Sequence, residues 1–248
     1  MVSFKMYFTT AQAVAWSRAV GELASTHSAV VDRRVELVVL PSFPALGGVI
    51  DALAGTSHSV GAQDLFWEDS GPYTGAVSGR DLRGMGCRYV EIGHAERREL
   101  FGDDSHAVRL KVGAAIRNNL IPVLCVGEPE HRGIDAAILW CTEQLESALG
   151  WLESTGLSTP LVVAYEPVWA IGGEQAASSA HVVAVASALR AWLSERPAVT
   201  SASILYGGSA GLGTLTELGG AVDGVFLGRF AHDPEVFVSI LDEAGGQS

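Results

Sequence analysis

The chain has 248 residues, with 28 acidic side chains against 16 basic ones, a formal charge of −12. That acidity speaks against a nucleic-acid or anionic-membrane partner, because both are held by basic surfaces. Apolar residues make up 48% and charged residues only 18%, which excludes a disordered chain. No apolar run approaches the roughly 20 residues a membrane helix needs. Residues 1–10 lack a basic segment followed by an apolar stretch, so no signal peptide is expected. Three cysteines (Cys87, Cys125, Cys141) form an odd set without metal-type spacing and read as buried thiols in a reducing, cytoplasmic setting.

Along the chain, short apolar runs alternate with longer amphipathic stretches. The runs cover residues 2–6, 35–40, 59–63, 87–92, 121–126, 161–165, 203–206 and 224–227. Several are β-branched and apolar on both faces, as parallel strands covered on both sides are. Helical patterns lie at 11–25, 104–118, 134–152, 179–193 and 233–241. Thr9 or Thr10 is placed to cap the first, and Pro234 suits the first turn of the last. Eight strands, each followed by a helix, within about 250 residues fit a (β/α)8 barrel of α/β class. A doubly wound sheet would place its Gly-rich turn after the first strand, whereas here such turns follow strands seven and eight. No linker or composition break interrupts the chain, so one domain is expected over 1–248.

Barrel chemistry lies at the C-terminal ends of the strands. Here those ends carry Lys5, then Gln63 and Asp64, then His94 with Glu96, then Glu128, Glu166, Gly207-Gly208-Ser209 and Gly228-Arg229. A lysine is usually a solvated surface group. Directly after an apolar strand, Lys5 reads instead as a fixed charge for an anion or a developing oxyanion. His94 suits an electrophile or a proton shuttle, although a satisfied core histidine would look the same. Glu166 ends a very apolar strand, where desolvation would strengthen it as a base. Residues 167–177 start with the apolar Pro167, Val168, Trp169, Ala170 and Ile171 and continue through Gly172 and Gly173. This is the composition of a lid with flexible ends. The glycines after strands seven and eight suit the close approach of backbone N–H groups to an anion.

These segments resemble the triosephosphate isomerase family over nearly the whole length. The resemblance rests on Phe4-Lys5-Met6, Gly61-Ala62-Gln63, Trp67-Glu68-Asp69-Ser70-Gly71 with Tyr73-Thr74-Gly75, and Ile92-Gly93-His94-Ala95-Glu96-Arg97-Arg98. It continues through Cys125-Val126-Gly127-Glu128, Ala164-Tyr165-Glu166-Pro167-Val168-Trp169-Ala170-Ile171-Gly172, Leu205-Tyr206-Gly207-Gly208-Ser209 and Asp223-Gly224. It implies a TIM barrel that interconverts an aldose phosphate and a ketose phosphate through an enediolate. It gives Glu166 the role of base and His94 that of a neutral electrophile. Lys5 becomes the electrostatic stabiliser, ordered by Glu96. Backbone groups of Gly172, Ser209, Gly228 and Arg229 would hold phosphate, and 167–177 would close as a lid. No metal and no cofactor are implied. A homodimer is, with Thr74 reaching toward the partner subunit.

The chain departs from the family pattern around the substrate. Ser3 stands where the family usually has Asn, Ala95 where it has Ser, and Gly228-Arg229 where it has Gly-Gly. The far half of the lid reads Gly173-Glu174-Gln175-Ala176-Ala177 instead of Thr-Gly-Lys-Thr-Ala. Lys5, His94 and Glu166 are untouched, so the chemistry is retained while the substrate is open. Exchanging Asn for Ser frees space that an extra hydroxymethyl group could use. The readings are therefore an isomerase of triose phosphates or one of a four-carbon ketose phosphate such as erythrulose phosphate. A non-catalytic sugar-phosphate-binding barrel is the reading of another class. A Schiff-base aldolase lacks its lysine, since Lys5 and Lys111 are the only two in the sequence.

Overall fold

The apolar runs become strands because both faces of each are covered: one by the barrel interior, the other by a helix. A computed structural model describes residues 1–171 and 176–246. It places β1 at Val2–Ser3, β2 at Val38–Leu40, β3 at Ser59–Ala62 and β4 at Tyr89–Ile92. β5 follows at Ile121–Val126, β6 at Thr159–Tyr165, β7 at Val199–Tyr206 and β8 at Gly224–Val225. Each strand pairs in parallel with the next in sequence. The sheet closes on itself where Val2 bridges Leu227: Ser3 N–H donates to the Leu227 carbonyl and Leu227 N–H to that of Met1, both at 2.9 Å. This is the expected (β/α)8 barrel.

Alternation along the strands sorts the core into two layers. Val90, Ile92, Leu124, Val126 and Val163 belong to the large cluster between strands and helices. Their neighbours Tyr89, Val123, Cys125, Val162 and Ala164 join Leu205 and Phe226 in a second cluster that fills the barrel. The inward positions one step beyond this filling carry the polar residues of the rim. The inner layer thus forms the floor on which the site stands.

Helix boundaries follow local chemistry. Thr10–Ser25 starts at a capping box in which the Thr9 hydroxyl accepts from Gln12 N–H and the Gln12 side chain accepts from Thr9 N–H. Ser179–Ser194 is capped by Ser178, which accepts from His181 N–H. The stretch expected at 134–152 divides into an α-helix, Ile134–Leu149, and a 3-10 turn, Leu152–Ser154. β1 is shorter than expected because Lys5 has φ 47°, which turns the chain out of the sheet. β7 is longer because Thr200 and Ser201, which follow Val199 at its start, are exposed and carry no apolar signal.

One polar end of a strand serves the fold instead of the rim. Asp64 accepts from Lys111 Nζ at 2.7 Å, and Asp103 accepts from the same ammonium at 2.6 Å. Arg97 joins both carboxylates at 2.9 Å. Lys111 is only 2% exposed. Burial pushes the Asp64 carboxyl up against the pull of Lys111, so this cluster depends on its cations.

Candidate active site

Ser3, Lys5, Glu96, Glu166, Ile171, Ser209, Gly228 and Arg229 line one cavity of about 260 Å³ at the C-terminal mouth of the barrel. The strands thereby bring together side chains spread over more than 220 positions of sequence. His94 is buried at the end of β4 beside this cavity, its Nε2 facing Glu166 Oε2 at 3.7 Å.

Lys5 adopts a left-handed backbone conformation that a non-glycine residue rarely takes, a strain that the surroundings must hold. Gln63 supplies that restraint: its amide donates to the Lys5 carbonyl at 3.1 Å and to the Leu40 carbonyl at 2.9 Å. The Lys5 ammonium then lies 2.7 Å from Glu96 Oε1. Burial works to lower its pKa. The Glu96 hydrogen bond and the charges of Glu96, Glu166 and Glu91 outweigh burial, and the net shift is upward. Lys5 therefore stays a fixed positive charge.

The ring of His94 is oriented by the chain that follows it. Glu96 N–H donates to His94 Nδ1 at 3.1 Å, as His94 opens the helix Ala95–Phe101. An Nδ1 that accepts leaves the proton of the neutral ring on Nε2. That Nε2 and Glu166 Oε2 are both buried without a hydrogen-bond partner among the described residues. A donor and an acceptor thus point into the same small space, 3.7 Å apart. Unpaired buried polar atoms are costly, and sites that bind and transform polar substrates are where such pairs persist. A carbonyl oxygen can take the hydrogen bond from Nε2, and a neighbouring carbon can give its proton to the carboxylate.

Glu166 is 5% exposed, and the glycines after β7 make room for it. A Cβ at Gly207 would come within 2.7 Å of Glu166 Cγ and 2.8 Å of Oε1; one at Gly208 would meet the Pro167 ring at 2.9 Å. These glycines thus make room for the Glu166 side chain and the Pro167 ring. Gly228 is different: a Cβ there would meet nothing within 4 Å. Gly207→Ala is expected to displace the Glu166 carboxylate and lower kcat by at least about tenfold, since misplacing a reacting group by an ångström carries penalties of that order or more. KM and the melting temperature should change little; steady-state kinetics with a thermal melt checks this.

The segment after Glu166 is anchored at several points. Val168–Ala170 forms a 3-10 turn. Val168 N–H donates to the Glu128 carbonyl at 3.0 Å, and Trp169 Nε1–H to Glu128 Oε1 at 2.8 Å. The Ser209 hydroxyl donates to the Ala170 carbonyl at 2.8 Å. The Glu128 carboxylate also receives the Tyr165 hydroxyl at 3.2 Å and meets His181 Nε2 at 2.9 Å. The strand-five carboxylate is thus the anchor of this segment. Gly172 and Gly173 lie outside the described residues. Arg229, exposed, opens a 3-10 turn after Gly228, and its guanidinium lies 5.5 Å from the ring centre of Tyr7. Thr74 lies in an exposed loop, 71–76, away from this cavity. Among the described residues no group of three or more His, Cys, Asp and Glu is arranged to hold a metal.

One buried carboxylate that contacts a residue of the site has no counterpart among those singled out from the motifs. Glu91 is 3% exposed inside β4, and its Oε2 accepts from the Ser3 hydroxyl at 3.0 Å. The signal was a parity one: a carboxylate in register with inward-facing Tyr89, within a strand covered on both sides.

A family model described as triosephosphate isomerase matches residues 1–244. An L-erythrulose-1-phosphate isomerase of Pectobacterium atrosepticum is 49% identical over 98% of this chain and 94% of its own. A triosephosphate isomerase of Moorella thermoacetica is 44% identical over 84% and 86%. In structure, the chain is similar to triosephosphate isomerase from Bartonella henselae, with a TM-score of 0.78 and 29% identity, covering 97% of this chain and 96% of that one.

Proposed function

The chain belongs to the triosephosphate isomerase family and is an isomerase of that family's type, and from that premise we propose that its preferred substrate is the four-carbon ketose phosphate L-erythrulose 1-phosphate. The observation that carries this reading is Ser3, a small side chain on the wall of the cavity between Lys5 and Leu227. A larger amide at this position would take the room into which a hydroxymethyl group fits. Relatives named for this substrate include one at 49% identity over 98% of the chain, which supports the same choice.

The 3.7 Å approach of His94 Nε2 to Glu166 Oε2 and the Lys5–Glu96 pair support the following mechanism. Phosphate rests at the turns after β7 and β8, on Ser209, Gly228 and Arg229. Lys5 and His94 Nε2–H hold the carbonyl oxygen at C2. Glu166 takes the proton from C3, and the electrons of that bond pass into the C2 carbonyl to give an enediolate. Lys5 stabilises its negative oxygen and His94 moves protons between the two oxygens. Glu166 then returns its proton to C2, and the carbonyl stands at C3. With a triose the same steps make an aldehyde. With the extra hydroxymethyl group the product is again a ketose, erythrulose 4-phosphate. Pro167–Ile171 closes over the intermediate, keeping water from an enediolate that would otherwise eliminate phosphate. The protein works as a cytoplasmic homodimer. Thr74 in the exposed loop 71–76 and Met6, 93% exposed immediately after Lys5, belong to the face the partner covers.

Measured side by side, kcat/KM for L-erythrulose 1-phosphate should exceed that for dihydroxyacetone phosphate and glyceraldehyde 3-phosphate by at least about tenfold, because a site that binds a hydroxyl discriminates against the analogue lacking it. Equal or faster turnover of the trioses would reverse the assignment and make Ser3 a tolerated change.

A further inference from the structure

Strand β4 carries a carboxylate where its register calls for an apolar side chain. Val90 and Ile92 face the helices, Tyr89 faces the barrel interior, and Glu91 shares the inward side with Tyr89. Its side chain crosses the interior toward β1, where Oε2 accepts the Ser3 hydroxyl at 3.0 Å. Both residues are 3% exposed. Burial, with the charge of Glu166 added, pushes the carboxyl up to about 7, while His94, Ser3 and Lys5 pull the other way. A buried acid without a cation in contact destabilises a fold unless something else uses it.

The hydrogen bond has a direction. A serine hydroxyl owns one proton, and with Glu91 ionised Ser3 gives it to that carboxylate. The lone pairs of Ser3 Oγ are then left as acceptors at the wall of the cavity that Ser3 lines. Ser3 stands on β1, beside β8 through the Val2–Leu227 bridge, and its hydroxyl reaches across the interior to Glu91 on β4, four strands from β8. The Ser3 hydroxyl therefore lies in the floor between β1 and β4, which a substrate held at the turns of β7 and β8, with its reacting carbons between His94 and Glu166, overlies.

We propose that Ser3 is the residue that reads the terminal hydroxyl of the four-carbon substrate, accepting its O–H, and that Glu91 is the positioning residue that fixes Ser3 as an acceptor. This rests on the four-carbon reading above. A triose has no group there to donate, so the pair discriminates by an interaction only the longer substrate can make.

The readout is the ratio of kcat/KM for L-erythrulose 1-phosphate to that for dihydroxyacetone phosphate, with thermal melts to verify folding. Changes that merely disturb Glu166 lower both rates and cancel in the ratio. Ser3→Ala removes the acceptor and should lower the ratio at least tenfold. Glu91→Leu places an apolar group in the apolar interior, frees the Ser3 proton, and should lower the ratio to a similar extent. Glu91→Gln keeps a carbonyl oxygen able to accept from Ser3 and should hold the ratio within about threefold of the wild type. The inference is overturned if the folded Ser3→Ala and Glu91→Leu proteins keep the wild-type ratio, or if Glu91→Gln loses it as fully as Glu91→Leu. Should Glu91→Leu not fold, Ser3→Ala and Glu91→Gln still decide. A wild type that prefers the trioses sinks the four-carbon reading and this inference with it. A wild type that prefers the tetrulose, with a ratio unmoved by the variants, sinks this inference alone.

Discussion

Glu166→Gln should lower kcat/KM by about 10²–10⁴-fold while leaving the fold and substrate binding nearly intact, because removing a positioned general base forfeits a factor of that size. The amide matches the carboxylate in shape, so the seat formed by Gly207 and the 3.7 Å approach to His94 Nε2 survive. What is lost is basicity. An amide oxygen cannot take a proton from carbon, and the hydrogen-bond donor of the amide would compete with His94 for the carbonyl oxygen. KM should change by less than about threefold, since the amide keeps the shape of the carboxylate and the proposed phosphate contacts are made by other residues. Steady-state kinetics on L-erythrulose 1-phosphate checks both values. A loss below tenfold would mean that another group performs the abstraction, and the cluster around His94 would need a different mechanism.

Lys111→Met should produce the largest stability loss, about 3–5 kcal/mol, as breaking a buried ion cluster from one side does. Asp64 and Asp103 would remain buried with only Arg97 between them, two carboxylates whose main ammonium has gone. Burial already pushes the Asp64 carboxyl up with Lys111 in place, and losing that ammonium would push it further. For a chain of this size each kcal/mol moves the melting temperature by roughly 2–4 °C, so a drop of about 6–20 °C is expected at neutral pH. Activity at 25 °C should persist in the fraction that remains folded, because Lys111 does not line the cavity. A melting temperature within 3 °C of the wild type would show the cluster to be replaceable.

The barrel was legible because its strands are apolar on both faces: β5 spans Ile121–Val126 as its pattern indicates. The helix Ala95–Phe101 was not, because none of its residues is buried and it shows no apolar stripe. Lys5, His94 and Glu166 stood out because a polar group ends an apolar run, and the barrel gathers such ends on one rim. That same rule overreached at Asp64, whose partner Lys111 is 47 positions away and leaves no trace in the local pattern. Glu128 likewise looked like a member of the site and instead anchors Trp169. Glu91 was hidden for the opposite reason. It lies inside a strand instead of at its end, and only the parity of the inward face, together with the hydroxyl of Ser3 brought to it from 88 positions away, gives it meaning.

Glu166 is proposed to move a proton between adjacent carbons. The most direct test is turnover of L-erythrulose 1-phosphate in deuterium oxide, followed by proton magnetic resonance of the product. Transfer through the carboxylate predicts deuterium at the carbon that carried the original carbonyl, and its loss along with turnover in Glu166→Gln. Full turnover with no deuterium at that carbon, together with undiminished turnover in Glu166→Gln, would mean a direct hydride shift and would contradict the mechanism.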